Sequence, residues 1–171
     1  MSQSVTIIEK PSFTALVIPH TTSTMKMGKI MGPSYKKIYK KLTEQSMKPP
    51  EGTPPFTIYK NLDWASLSKK GPLSMIKMMF LKKWDIEVGI MCSESTTGED
   101  NIMKKTVDGG NFIRAIHEGP YMKVSETYKK IMDYARSNNN SVKNYSIEFY
   151  LNDPRKVPES ELKTEILVPI S

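Results

Sequence analysis

Tyr35-Lys-Lys-Ile38 recurs in this chain as Tyr128-Lys-Lys-Ile131, and the two copies decide how the fold is organised. Each copy lies in a stretch whose apolar residues return at helical spacing. In the first stretch the motif continues to Leu42, and in the second it is preceded by Val124 and followed by Ala135. The repeated motif therefore predicts two amphipathic helices, one in each half of a duplicated chain.

Each predicted helix lies between predicted strands in the same order. A β-like run precedes each helix, at 13–18 and at 111–116, and a polar turn follows it. Each turn leads into a strand that ends in an acid, Phe56–Asp63 in the first half and Ser146–Asp153 in the second. Two similar β-α-β units favour an α+β fold, with helices packed on one face of a mainly antiparallel sheet. Further predicted strands are Val5–Ile8, Met75–Phe80, Trp84–Met91, Ile102–Val107 and Thr164–Ile170.

The start of the first helix has two interpretations. Gly32-Pro33 and Gly119-Pro120 both resemble helix starts, with proline at the first helical position. The repeated motif follows the first pair almost at once and the second pair only after several residues. Either the second helix is longer by about two turns, or residues 22–31 are also helical and Pro33 kinks them.

The composition is that of a globular protein. The chain has 171 residues, of which 38% are hydrophobic and 25% are charged. It contains no apolar run near the roughly 18 residues that a membrane helix needs, and its start lacks the layout of a signal peptide. A single cysteine, Cys92, excludes an internal disulfide. These features predict one domain spanning 1–171 that resides in the cytoplasm and does not contact a membrane.

The positive charge is concentrated in the first half. Residues 1–91 hold 14 Lys/Arg and 6 Asp/Glu, whereas residues 92–171 hold 11 and 12. Seven lysines lie between Lys26 and Lys48, with Glu44 the only acid among them. This stripe is either a solvated helix face or a surface for an acidic protein partner. Direct nucleic-acid binding is not expected, because aromatic residues are not interleaved with the lysines and no helix-turn-helix is found.

Glu148 is the candidate functional residue. In a strand over 145–153, Ile147 and Phe149 share one face and Glu148 shares the other with Tyr150. A carboxylate removed from water either raises its pKa or acquires a cation. Tyr150, and Tyr59 at the matching point of the first repeat, could each add a cation–π attraction of roughly 0.5–2 kcal/mol. A glutamate of raised pKa is equally suited to general acid–base catalysis. The residues alone therefore fit both a binding protein and an enzyme.

Three segments in the second half resemble a known family. They are Gly110-Asn-Phe-Ile-Arg-Ala-Ile-His-Glu-Gly-Pro-Tyr121, Ile147-Glu-Phe-Tyr-Leu-Asn-Asp-Pro154 and Leu162-Lys-Thr-Glu-Ile-Leu-Val-Pro169. Together they resemble the GyrI-like small-molecule-binding domain, the effector-binding module of AraC-type and multidrug-sensing regulators, in its free-standing form. The resemblance covers almost the whole chain, with internal repeats at about 4–92 and 101–171.

The resemblance implies both a fold and a function. The fold has duplicated β-α-β-β units forming an eight-stranded, mainly antiparallel curved sheet, with two helices on one face and a ligand cleft on the other. The function is binding of small amphipathic molecules, cations among them, in a cleft centred on Glu148. The alternatives are a hydrolase of strained electrophiles with Glu148 as general base, and a protein-interaction module of the gyrase-inhibitor type. The predicted ligand-binding residues are Glu148, Tyr150, Tyr59 and Met79.

Other kinds of site have less support. Two histidines and one cysteine lie too far apart for a zinc site, and neither a phosphate loop nor a nucleophile elbow is present. We therefore predict no metal and no cofactor. His117 and Tyr121 are expected to be structural, and Glu165 to face solvent or a lysine. Glu87 and Trp64 are weaker candidates for the cleft.

Overall fold

The alternating and helical patterns produce eight strands and two helices in the computed structural model, which describes residues 4–65 and 82–171. The helices are α1 (Thr24–Glu44) and α2 (Val124–Ser137). The strands are β1 (Thr6–Lys10), β2 (Phe13–Ser23), β3 (Phe56–Lys60), β4 (Lys83–Met91), β5 (Met103–Val107), β6 (Gly110–Glu118), β7 (Ser146–Tyr150) and β8 (Lys163–Pro169). The predicted strand at Met75–Phe80, and with it Met79, lies outside the described residues.

All eight strands belong to one antiparallel sheet, in the order β1-β6-β8-β7-β3-β4-β2-β5. The units β2-α1-β3-β4 and β6-α2-β7-β8 repeat the same succession of elements. They meet at the centre of the sheet, where β3 pairs with β7 and Thr57 lies opposite Glu148. The predicted α+β class with duplicated units is confirmed.

Both helices pack on the same face of this sheet. Ile38 and Leu42 of α1 are buried against β2 and β4, and Ile131 and Ala135 of α2 are buried against β6 and β8. Residues directly opposite each other in an antiparallel pair point to the same side. The register from β2 through β4, β3, β7, β8 and β6 therefore places Glu148 on the face that carries the helices.

The opposite face is filled by its own apolar core. The rings of Phe13, Phe56 and Phe149 meet there, with centroids 5.5 to 6.2 Å apart. Two residues alone join β1, at one edge of the sheet, to β2, the seventh strand in the order. So short a connection requires the sheet to curl strongly around this core.

The first strand of each half pairs with the other half. β1 is hydrogen bonded to β6, and β5 is hydrogen bonded to β2. The connection from β1 to β2 and the connection from β5 to β6 therefore cross, and they touch at Gly109. A Cβ added to Gly109 would lie 2.4 Å from the backbone nitrogen of Ser12 and 2.5 Å from the carbonyl oxygen of Lys10. Only a residue without a side chain fits at this crossing.

The start of α1 follows the second of the two interpretations. The helix begins at Thr24 and passes through Pro33, although proline has no N–H to donate to the preceding turn. α2 is the shorter helix, with 14 residues against 21 in α1. A short 3-10 turn, Tyr121–Lys123, precedes it, and Gly119 supplies the positive φ of 112° just before that turn.

Gly28→Ala is expected to raise the free energy of unfolding by about 1 kcal/mol, since glycine is that much less favourable than alanine inside an exposed helix. Gly28 lies in α1, and apart from its chain neighbours and the backbone of the helix itself no heavy atom lies within 4 Å of a Cβ added there. Urea denaturation measures the difference. An unchanged or lower stability would contradict a regular helix in the turn before Pro33.

Candidate functional site

Glu148 lies in the middle of β7 with 5% of its surface exposed. Its Oε1 accepts a hydrogen bond of 2.8 Å from the Tyr128 hydroxyl of α2. Its Oε2 accepts one of 3.2 Å from the Tyr150 hydroxyl on the same strand. The carboxyl group is thus held from both sides by tyrosines.

The hydrogen bonding continues to both helices. The Tyr59 hydroxyl lies 3.3 Å from the Tyr150 hydroxyl and 3.3 Å from Sδ of Met27 in α1. On the other side, the Tyr128 hydroxyl lies 2.7 Å from Oγ of Ser146. A chain of polar groups therefore runs from α1 through Glu148 to α2. We call Glu148 with Tyr59, Tyr128 and Tyr150 the Glu148 site.

Three more aromatic rings border the Glu148 site. Trp84 meets Tyr59 edge to face with centroids 6.3 Å apart, Tyr121 meets Tyr150 in the same way at 5.9 Å, and Trp64 lies tilted 5.7 Å from Tyr128. The indole N–H of Trp84 donates to Oγ1 of Thr24, and that of Trp64 donates to the carbonyl oxygen of Lys143. These bonds hold the two indoles in place and satisfy their only donors.

Burial raises the pKa of Glu148 from its ordinary 4.5 to about 7, although the hydroxyls of Tyr128, Tyr150 and Tyr59 act in the opposite direction. Burial also raises the pKa of each of these tyrosines well above 10, and the nearby Glu148 adds to that shift. The tyrosines are therefore proton donors at neutral pH. The carboxyl group, in contrast, can be either protonated or charged there.

The repeated motif explains how the site arises. In the first half the Tyr35 hydroxyl donates to the carbonyl oxygen of Phe56 and lies 3.1 Å from Oγ1 of Thr57. In the second half the corresponding hydroxyl, that of Tyr128, contacts Glu148. Each motif tyrosine reaches the centre of the strand that follows its helix. Only the second half has an acid at that point.

Comparison with known families agrees with this architecture. The family model described as GyrI-like small molecule binding domain matches residues 3–171. The chain belongs to the GyrI-like family. No curated protein matches it.

Solved structures share the fold of this GyrI-like domain. The EcmrR C-terminal domain superposes with a TM-score of 0.73 at 18% identity, covering 100% of this chain and 99% of that one. In the EcmrR–DNA complex the TM-score is 0.80 at 17% identity, covering 99% of this chain but only 57% of EcmrR.

Two further structural neighbours are a hydrolase and a protein bound to a ligand. A hydrolase from Listeria innocua has a TM-score of 0.68 at 14% identity, covering 98% of this chain and 91% of that one. SAV2435 bound to tetraphenylphosphonium has a TM-score of 0.59 at 12% identity, covering 98% and 94%. At such identities the likeness shows the fold alone.

The structure brings together three of the four residues predicted for the site of this GyrI-like domain. Glu148, Tyr150 and Tyr59 form one hydrogen-bonded group, and Met79 lies outside the described residues. The expected position on the face opposite the helices is corrected. Glu148 lies on the helix-bearing face, because the curled sheet fills its other face with apolar side chains.

Sequence reasoning missed Tyr128, Trp84 and Met27. Tyr128 falls on the apolar stripe of α2, so the sequence predicted a core position for its ring. The hydrogen bond from its hydroxyl to Glu148 could not be inferred from that pattern. The repeated motif was the available signal, because it places Tyr128 and Tyr35 at matching points above the two central strands. Tyr121, expected to be structural, contacts Tyr150 and keeps 39% of its surface exposed.

Two other candidate acids face away from the Glu148 site. Glu87 accepts hydrogen bonds from Lys60 at 2.9 Å and Lys105 at 2.6 Å, and Glu165 pairs with Lys10 and Arg114. Burial alone would raise the pKa of Glu87, but the two ammonium groups lower it below its ordinary value. Glu87 is therefore an ion-paired residue of the opposite face and not a second acid of the site.

The remaining polar candidates have local partners. His117 lies 2.9 Å from Oγ1 of Thr127 and 3.1 Å from the carbonyl oxygen of Pro120, which is a structural role. Within residues 4–65 and 82–171, no three His, Cys, Asp or Glu residues are grouped so as to hold a metal ion. In the same ranges no helix is long and apolar enough to cross a membrane.

The lysine stripe lies on the outer side of α1. Lys26, Lys29 and Lys36 are exposed, while Lys40 pairs with Glu44 and Lys41 with Glu99. The acidic protein partner remains a prediction, as does the cytoplasmic location.

Proposed function

We propose that this GyrI-like domain binds amphipathic organic cations at the Glu148 site, for sensing or sequestration. The observation that carries the proposal is the environment of one carboxyl group. Glu148 is buried, receives hydrogen bonds from tyrosine hydroxyls, and forms no ion pair within the described parts of the chain. Among residues 4–65 and 82–171, it is a buried acid to which no cationic side chain is paired.

The physical reason is the cost of burying a charge. An ionised carboxylate removed from water is unfavourable by several kcal/mol unless a counter-ion compensates it. An organic cation supplies that counter-ion and keeps the carboxylate charged. The surrounding rings add cation–π attraction of about 0.5–2 kcal/mol each, and Met27 offers an adaptable apolar contact.

The comparisons support this chemistry without assigning it. The family description names small-molecule binding, and one neighbour of the same fold is bound to tetraphenylphosphonium, a lipophilic cation. Both agree with an acidic centre surrounded by aromatic rings.

A hydrolase is the second candidate. A carboxyl group with a pKa of about 7 suits a general base at neutral pH, and the nearby tyrosine hydroxyls suit proton donation. One neighbour of the same fold is described as a hydrolase. Recovery of the ligand distinguishes the two candidates, because a binder returns it chemically unchanged.

Glu148→Gln is expected to weaken tetraphenylphosphonium binding at least tenfold at pH 8, because the amide keeps the size of the side chain but carries no charge. Isothermal titration calorimetry measures the affinity, and mass spectrometry of the recovered ligand tests for turnover. The matched control is Glu126→Gln, the same change at an exposed residue in the first turn of α2. Equal affinities of wild type and Glu148→Gln would refute the proposal.

A further inference from the structure

A cation of the chain itself lies over one of the rings that border the Glu148 site. The ammonium of Lys82 lies over the Trp84 ring, 4.1 Å from its centroid. At that distance an ammonium is attracted to the negative face of the indole. The Trp84 ring thus already holds a positive charge.

Trp84 is linked to Glu148 by consecutive contacts. Its ring meets Tyr59 edge to face, and the Tyr59 hydroxyl lies 3.3 Å from that of Tyr150. The Tyr150 hydroxyl in turn donates to Glu148. Because the indole N–H is held by Thr24, the ring cannot turn freely to offer a different face. Lys82 therefore lies over the first ring of a row of contacts that ends at the carboxylate of Glu148.

We propose that Lys82 is a tethered competitor, which an organic cation must displace from Trp84 or tolerate as a neighbouring charge in order to bind. This inference rests on the proposed function and adds a specificity-determining residue to it. Lys82 lowers the affinity for every cation and most strongly for those that use the Trp84 face. The domain thereby selects lipophilic cations whose aromatic contacts outweigh those of an ammonium.

A packing role for Lys82 makes a different prediction. Lysine stems commonly cover apolar surface, and the four-carbon stem of Lys82 could simply cover the indole. Lys82→Met retains an unbranched apolar stem of similar length and removes only the charge. If the stem is what matters, this variant behaves as wild type. If the ammonium is what matters, the affinity for cations rises.

Lys82→Met is expected to bind tetraphenylphosphonium about 2- to 30-fold more tightly than wild type, the range of a single cation–π contact. Lys82→Arg retains a cation over the ring and is expected to bind as wild type does. The matched control is Lys83→Met, which removes the same charge from the next residue. Lys83 is exposed at the start of β4, and successive strand residues point to opposite faces. This control is expected to change the affinity less than twofold.

Measuring the affinity at high salt distinguishes a direct contact of the Lys82 ammonium with Trp84 from long-range charge repulsion of the ligand. The gain from Lys82→Met is expected to persist at about 0.5 M salt, where charges several ångströms apart in solvent are largely screened. Equal effects of Lys82→Met and Lys83→Met would overturn the inference, and so would weaker binding by Lys82→Met. In either case normal binding by wild type leaves the proposed function intact. Wild-type protein that binds no cation overturns both.

Discussion

Glu148→Gln is expected to raise the free energy of unfolding at pH 8 by about 3 kcal/mol and to leave it nearly unchanged at pH 4. The carboxyl group is buried, and its pKa is about 7 in the folded protein against the ordinary 4.5. Each pH unit over which the two states differ in protonation is worth about 1.36 kcal/mol. Glutamine cannot ionise, so it removes this cost.

The direction in which stability changes with pH follows from which state, folded or unfolded, binds the proton at a given pH. Below pH 4.5 the carboxyl group is protonated in both states, and Glu148 costs nothing. Between pH 4.5 and about 7 the unfolded chain loses the proton while the folded protein keeps it, so stability falls as the pH rises. Above pH 7 the full cost of the buried charge remains.

Urea denaturation of the ligand-free protein at pH 4, 6 and 8 measures this effect. The difference between Glu148→Gln and wild type should open progressively from pH 4 to pH 8. Glu126→Gln, an exposed change of the same kind, should stay parallel to wild type throughout. A difference between Glu148→Gln and wild type that does not depend on pH would show that Glu148 is not buried as a titrating group. Together with the loss of cation binding, the stabilisation would show that function is maintained at the expense of stability.

Gly109→Ala is expected to lower the free energy of unfolding by about 3 kcal/mol or more. The added Cβ would lie 2.4 to 2.5 Å from backbone atoms of Lys10, Pro11 and Ser12. Overpacking against side chains typically costs 1–3 kcal/mol, and backbone atoms in a two-residue connection have less room to move than side chains do. The strain acts where the halves exchange β1 and β5, so it weakens both edges of the sheet.

The same substitution in α1 is the control for this variant. Gly28→Ala adds an identical methyl group where, apart from its chain neighbours and the backbone of the helix itself, no heavy atom lies within 4 Å, and it is expected to stabilise. Thermal denaturation and urea midpoints compare the two. Similar effects of Gly28→Ala and Gly109→Ala would contradict the close crossing of the two connections.

Local patterns predicted most of the elements. The alternation in 145–153 predicts β7, and the spacing of Tyr128 and Ile131 predicts α2, because each depends on residues a few positions apart. The exchange of β1 and β5 has no such signal. It depends on which distant strand offers the free edge, and this is decided by the packing of the whole sheet.

The site could be predicted only in part for the same reason. Glu148 was identifiable because a carboxylate in the middle of a strand conflicts with burial. Tyr128 was not identifiable as a site residue, because a tyrosine on the apolar stripe of a helix is an ordinary core residue and conflicts with no local pattern. The face of the sheet on which the site lies was not accessible either. It depends on the register between strands that are far apart in the sequence, from β2 through β4, β3, β7 and β8 to β6.

The pairing of Thr57 with Glu148 shows why this site needs two units that differ in sequence. Residues directly opposite each other in adjacent strands stand about 5 Å apart, so two glutamates there would repel each other and share a proton. A dimer of identical single units would necessarily place the same residue at both points. In a single chain the two points can differ, and here an uncharged threonine lies opposite an acid that can ionise alone.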